Sequence, residues 1–180
     1  MASAFSHAIA ALGIGACFYR RDVPKRVWAL GALYGALPDA DVAAFAFGIP
    51  YAHMLGHRGL SHSLFFAAAL AAATVGLAFR RGVPGLGPAA LGSYFFLAIA
   101  SHGALDALTN GGLGVAFFAP FENSRYFFPV QPVQVSPIGV RRFFGEAGLA
   151  VLKSEALWIW IPSAWLAWFA FRIRRQQAGA

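Results

Sequence analysis

Five long apolar runs alternate with short polar or basic ones: Ala4 to Tyr19, Val27 to Phe47, Ser63 to Phe79, Ala89 to Leu108 and Leu149 to Phe171. Each is about 16 to 23 residues, close to the ~20 that an α-helix needs to cross the hydrocarbon core of a bilayer. The pattern predicts an all-α, polytopic membrane bundle of about five transmembrane or membrane-embedded helices. The first and third runs are short and are expected to sit tilted or partly immersed. Pro38 interrupts the second run and should break it at Leu37 or kink it. Ser61 is a plausible N-cap for the third helix. Between the fourth and fifth runs, the stretch from Thr109 to Gly148 is rich in Pro and Phe and longer than a plain connection needs. It reads as a long non-cytoplasmic loop, a lid or lipid-contacting platform over the outer mouth.

Composition agrees. Of 180 residues 59% are hydrophobic and only 12% charged, too apolar for an ordinary soluble domain. No repeat, low-complexity tract or polar linker divides the chain, so residues 1–180 read as a single membrane domain. Basic residues follow both Ile14-Gly15-Ala16-Cys17 and the first apolar run, the reverse of a signal peptide's charge order, so that run is expected to be a retained helix. Cys17 is the sole cysteine and excludes an intramolecular disulfide.

The net charge of +7 would suit nucleic acid, but the basic residues sit in clusters between apolar runs. Nucleic acid is therefore not expected as a partner. Arg20, Arg21, Lys25, Arg26, Arg80, Arg81, Arg172, Arg174 and Arg175, nine of the fourteen basic residues, fall on one side of an alternating five-span arrangement. By the positive-inside rule that side is the cytoplasm. Arg58, Arg125, Arg141, Arg142 and Lys153 fall on the other side, against the rule, and call for a separate reason.

Asp, Glu and His are costly inside a bilayer, so each one within an apolar run is a functional candidate. Counted from the basic ends at ~1.5 Å per residue, His7, Asp39, Asp41, His62, His102, Asp106 and Glu155 all lie about 18 to 26 Å up, in the outer third of a ~30 Å slab. Chance placement would scatter them. Imidazole and carboxylate without thiolate suit zinc and related divalent metals. His102-x-x-x-Asp106 sets two such groups one helical turn apart on one face. Asp39-Ala40-Asp41 follows the Pro38 break, where short carboxylates can turn inward. His57-Arg58-Gly59-Leu60-Ser61-His62-Ser63 adds two imidazoles around a Gly that permits a tight turn.

Plainer roles compete residue by residue. His7 alone would be a packed or interfacial histidine, and His102 with Asp106 a hydrogen-bonded helix pair. Glu155 would pair with Lys153 or Arg142. His53 fits no pattern and reads as a loop histidine, and the tryptophans from Trp158 to Trp168 are interfacial anchors. The shared depth argues against these roles taken jointly.

Three motifs in order, Leu37-Pro38-Asp39-Ala40-Asp41, His57 to Ser63, and His102-Gly103-Ala104-Leu105-Asp106, resemble the bacterial inner-membrane metal-dependent hydrolase family known by the domain of unknown function 457 and its SOS-regulated member. The resemblance runs from Ser6-His7 to Glu155. It departs at Ala40 and Val42, where the pattern has Asp-Ile-Asp-His, so one ligand of the pattern is missing. The family is in turn distantly similar to zinc-dependent phospholipases C, which run His, Asp, His, His-x-x-x-Asp and Glu on a helical scaffold.

The expected metal ligands are accordingly His7, Asp39, Asp41, His57, His62, His102, Asp106 and Glu155. They would hold one to three divalent ions, zinc first, with manganese or magnesium as alternatives. Asp39 or Asp41, with Arg58, would serve the chemistry, and Arg58, Arg125, Arg141 and Arg142 would grip a phosphate oxygen. The expected activity is hydrolysis of a phosphate ester of a lipid or amphiphile, phospholipase C-like or a lipid phosphatase, by a metal-activated water. The expected location is the bacterial inner membrane, with the site on the periplasmic side. The rivals are a metal transporter, against which the nearly apolar cytoplasmic halves argue, and a structural or regulatory protein stapled by its metal.

Overall fold

The computed structural model describes residues 1–137, 143 and 145–178. Arg141 and Arg142 lie outside them. Its regular structure is helical, with no strand among the described residues.

Helix α1 (Ala4–Phe18) starts at Ser3, whose hydroxyl accepts the Ser6 N–H and satisfies one donor of the first turn. After a tight turn, α2 (Lys25–Ala36) follows Pro24. The expected break at Pro38 takes the form of a change of coil: Leu37–Phe47 winds as a 3₁₀ helix and stops at Gly48, which has a φ of +72°. Pro38 lacks the N–H that an α-helix interior would require, and it sits at the start of the tighter coil, where no donor is needed.

A second, short 3₁₀ turn (Leu60–His62) leads into α3 (Leu64–Ala78). Its N-cap is Ser63, whose hydroxyl accepts the Phe66 N–H at 3.0 Å, and not Ser61 as expected. Ser61 turns towards Asp41 instead. Helix α4 (Pro88–Ala107) carries its proline in the first turn, where the missing N–H costs nothing. Last come α5 (Glu146–Glu155), a π-helical stretch (Ala156–Trp160) and α6 (Ile161–Ala178), joined without interruption. Pro162 begins α6 and cannot donate to the Trp158 carbonyl, which explains why the coil widens just before it.

Helices α1 and α4 form the hub. Helix α1 packs on α2, α4 and α6, and α4 also packs on α2 and α3. Close approach depends on small residues, as in membrane bundles generally. A Cβ on Gly35 would meet Ala11 and the His7 carbonyl oxygen, and Gly31 and Gly15 form the notch that receives the Tyr94 ring. Towards the basic end the interior is apolar, built from Val23, Val27, Leu91, Tyr94, Phe95 and their neighbours. Towards the other end it is polar, with His7, Arg58, His62, His102, Asp106 and Glu155 all buried.

Two helices, Pro88–Ala107 and Gly148–Gln177, are long and apolar enough to cross a membrane. Helices α1 and α3 are apolar but shorter, and α2 gives way to 3₁₀ coil, so the five segments expected as spans are unequal. The stretch from 148 to 177 buries almost none of its apolar surface, with Leu157, Trp158, Trp165, Trp168 and Phe169 exposed. The described part of the long loop folds back over the polar end. Ala116 N–H donates to Arg58 O, Ser136 N–H to Met1 O and Gln134 N–H to the Ser154 hydroxyl, while Val115, Ala116, Ala119 and Val133 are fully buried.

Candidate metal centre

Four segments deliver ligand-type side chains to one point. His7 comes from the first turn of α1, Asp39 from the first turn of the 3₁₀ helix, His62 from the turn before α3, and His102 with Asp106 from α4. His102 Nε2 lies 3.2 Å from Asp39 Oδ1, His62 Nε2 lies 3.7 Å from the same oxygen and 3.5 Å from Asp106 Oδ2, and His7 Nε2 lies 3.4 Å from Asp106 Oδ1. The His7 and His102 rings stack with centroids 3.5 Å apart. One ligand atom from each of Asp39, His62, His102 and Asp106 falls within 4.8 Å of the others. Ligand atoms about 2.0 to 2.2 Å from a tetrahedral zinc stand about 3.3 to 3.6 Å from one another, and the pairs here, at 3.2 to 4.0 Å, need only small shifts to reach that spacing.

Hydrogen bonding supplies an independent argument. Both nitrogens of His7, both oxygens of Asp39, and Nε2 of His62 and of His102 are buried without a hydrogen-bond partner. A buried polar atom left unpaired costs about 1 to 3 kcal/mol, so so many converging on one point need a common partner. Histidine and carboxylate donors without thiolate fit a borderline or hard divalent cation. The cluster could hold a metal ion.

The surrounding groups orient these ligands. His102 Nδ1 donates to the Gly35 carbonyl at 2.7 Å, which turns Nε2 towards the cluster. On His62, Nδ1 lies 3.1 Å from Asp41 Oδ2. Asp41 also accepts from the Ser61 hydroxyl at 2.6 Å and the Arg58 N–H at 3.1 Å, and it pairs with His57 Nδ1 at 2.6 Å. Asp41, His57 and His62 thus form a second set of ligand types that shares His62 with the first. Heavy use of both Asp41 oxygens fits it to steering His57 and His62. Tyr51 packs edge-on to His57 with centroids 5.1 Å apart, and burial pushes its hydroxyl above the ordinary value.

The arginines expected to grip phosphate are otherwise engaged. Arg58 is fully buried with a φ of +61°, a strained conformation for a side chain of its size. Its Nε lies 3.0 Å from Asp106 Oδ2, and its terminal nitrogens donate to Gly111 O at 2.9 Å and to the Thr109 hydroxyl at 2.8 Å. Arg125 donates to the carbonyls of Tyr51, His53 and His57, closing the 51–57 loop around its guanidinium.

Glu155 does not join the cluster. Its carboxylate takes the Ser3 N–H at 2.5 Å and the Ser3 and Ser6 hydroxyls at 2.6 and 2.7 Å, at the positive end of the α1 dipole, and Trp160 donates to Ser6 at 2.7 Å. His53 stays exposed, its imidazole accepting the Leu55 N–H. Two contributors had gone unremarked in the sequence: Gly35, flagged by its small-xxx-small spacing with Gly31, and Ser3, which with Ser6 stands at a helix start.

Across its length the chain matches a known family: residues 1–178 fit the one described as YdjM inner membrane protein. The chain belongs to that family. It is also 35% identical over 164 residues to the inner membrane protein YbcI of Escherichia coli (strain K12), which covers 90% of this chain and 92% of that protein. No solved structure matches it. Membership supports the inner membrane as its location and fits the resemblance carried by the three motifs.

Proposed function

We propose that the chain is a membrane-embedded metal-dependent hydrolase that cleaves an ester of a lipid or amphiphile, a phosphate ester by preference, in the non-cytoplasmic half of the inner membrane. The observation that carries this reading is the convergence of buried, partnerless ligand atoms from four segments at the polar end of the bundle. His7, Asp39, His62, His102 and Asp106 would hold the ion, with zinc the best match to the donors. A divalent ion held there would supply Lewis acidity towards a water and a substrate oxygen.

The chain's own groups divide the remaining work. Asp39 keeps both oxygens free of hydrogen bonds and is slightly exposed, so with one oxygen towards the ion the other would be placed to hold a proton during the reaction. Asp41 fixes the rings of His62 and His57. Arg58 offsets the Asp106 charge and ties it to the Thr109–Gly111 turn, which makes it a positioning residue. With Arg58 and Arg125 committed to protein acceptors, a grip on phosphate would fall to the metal. The preference for phosphorus therefore rests on the family resemblance and on the depth of the site.

A second reading, a metal that only staples the helices, is favoured by the nearly complete burial of His7, His62, His102 and Asp106. One experiment separates the two. Detergent-purified protein is assayed for metal by plasma mass spectrometry and for turnover of a panel of phosphate-ester lipids with and without chelator. Stoichiometric metal with chelator-sensitive release supports the hydrolase. Metal without turnover on any ester moves the assignment to the staple, and absence of metal removes the site.

A further inference from the structure

A groove of about 500 Å³ opens where α3 begins, lined by Leu64, Phe65, Phe117, Phe118, Phe121 and the edge of Glu122. That volume is in the range of ligand sites. Apart from Glu122 its walls are apolar, and their outer parts remain uncovered: Phe65 is 48% exposed, Phe118 50% and Phe121 81%. Groups of exposed phenylalanines of this kind mark a surface that meets something apolar.

Position ties the groove to the metal centre. Leu64 is two residues beyond His62, and its N–H donates to the Phe117 carbonyl, which seals the floor. A Cβ on Gly103 would lie 2.8 Å from the His62 carbonyl oxygen and 3.3 Å from the Phe117 ring. Gly103 adjoins His102, so Phe117 is the partition between the groove and the cluster. At the rim, hydrogen bonds from Ser124 and Tyr126 hold the exposed Glu122 carboxylate below its usual value, so this end of the groove is polar.

We propose that this groove binds an acyl chain of a bilayer lipid, so that the molecule presented to the metal centre is a long-chain lipid and not a small soluble ester. The occupant follows from continuity. The groove's outer wall runs into the exposed apolar surface of an inner-membrane family protein, and the medium in contact with that surface is hydrocarbon. The groove between α1 and α6, lined by Gly13, Ala16 and Ala164, carries no such inference because it lies along the face of α1 that meets α6, where no ligand-type side chain is placed.

The inference rests on the hydrolase reading for its purpose but not for its test. Full-length protein is reconstituted in phosphatidylethanolamine and phosphatidylglycerol vesicles containing a trace of phospholipid with a diazirine in mid-chain. The vesicles are irradiated and the labelled peptides are mapped. Labelling at 64–65 and 117–121 is expected to exceed several-fold that at the comparably exposed Leu97 and Leu157, which report bulk lipid. The ratio should fall towards one in Leu64→Trp, which fills the groove, and in Phe121→Glu, which charges its rim where packing is slight.

A ratio near one in the wild type, or a ratio that neither substitution changes while metal content stays constant, overturns the proposal. Groove labelling without chelator-sensitive turnover on any ester would leave this inference standing and remove the hydrolase. Chelator-sensitive turnover with an unlabelled groove would do the reverse.

Discussion

Replacing Gly35 with Ala tests whether the close packing of α1 on α2 sets the metal centre. The new methyl carbon would lie 2.7 Å from Ala11 Cβ and 2.7 Å from the His7 carbonyl oxygen, where ordinary contact begins near 3.4 Å. Both obstacles belong to the body of α1, so the helices must part by roughly 0.7 Å, an overpacking that costs about 1 to 3 kcal/mol. The same shift moves two ligands at once. His7 rides on α1, and His102 loses its alignment because its Nδ1 donates to the carbonyl of Gly35. Loss of such an orienting bond weakens metal binding by about 10- to 100-fold. The assay is competition for zinc against a chromophoric chelator, beside thermal unfolding of the metal-free protein in detergent. Gly76→Ala is the control, since nothing lies within 4 Å of its added carbon. Zinc affinity within twofold of wild type in Gly35→Ala would refute the argument that this contact shapes the site.

The remaining predictions concern single side chains. His102→Ala and Asp106→Ala should each remove the bound metal, measured by mass spectrometry, while His53→Ala, at an exposed position, should retain it. Asp41→Ala should keep the metal but lower its affinity by about 10- to 100-fold in chelator competition, because His62 and His57 lose the carboxylate that aligns them. Glu155→Ala should lower the melting temperature, since it leaves the buried Ser3 N–H and the Ser6 hydroxyl proton without an acceptor, at about 1 to 3 kcal/mol each, yet the folded fraction should bind metal in the wild-type ratio. Tyr94→Phe should be neutral or slightly stabilising in the same melt, because the Tyr94 hydroxyl is buried without a partner.

Much of this was legible in the sequence because a bilayer makes polarity expensive. The apolar runs mark the helical segments, and five of the ionisable residues expected as ligands converge while Asp41 and Glu155 face other partners. His7, which alone would read as an ordinary packed histidine, joins Asp39, His62, His102 and Asp106 at one point. The partners that each group chooses were not legible, since they depend on contacts between residues 16 to 152 positions apart. Glu155 has the composition and depth of a ligand, yet Ser3 and Ser6, about 150 residues earlier, claim its oxygens. Arg58 and Arg125 stand on the side where the topology rule disfavours them, which signals a special role but not which one. Their acceptors are backbone carbonyls, Thr109 and Asp106, and no motif announces a carbonyl. Ser61 and Ser63 are equally good caps by type, and only the contact of Ser61 with Asp41 decides between them.

The 3₁₀ winding of Leu37–Phe47 limits how the family can vary here. With three residues to a turn, each residue advances by about 120°, so Asp39 and Asp41 point about 120° apart, one towards His102 and His7 and the other towards His57. Inserting or deleting one residue between Asp39 and Asp41 would rotate one carboxylate by about a third of a turn relative to the other, and a compensating change elsewhere could not restore both. Length variation among relatives should therefore be absent from this coil, and should gather beyond Gly48, where the chain leaves it.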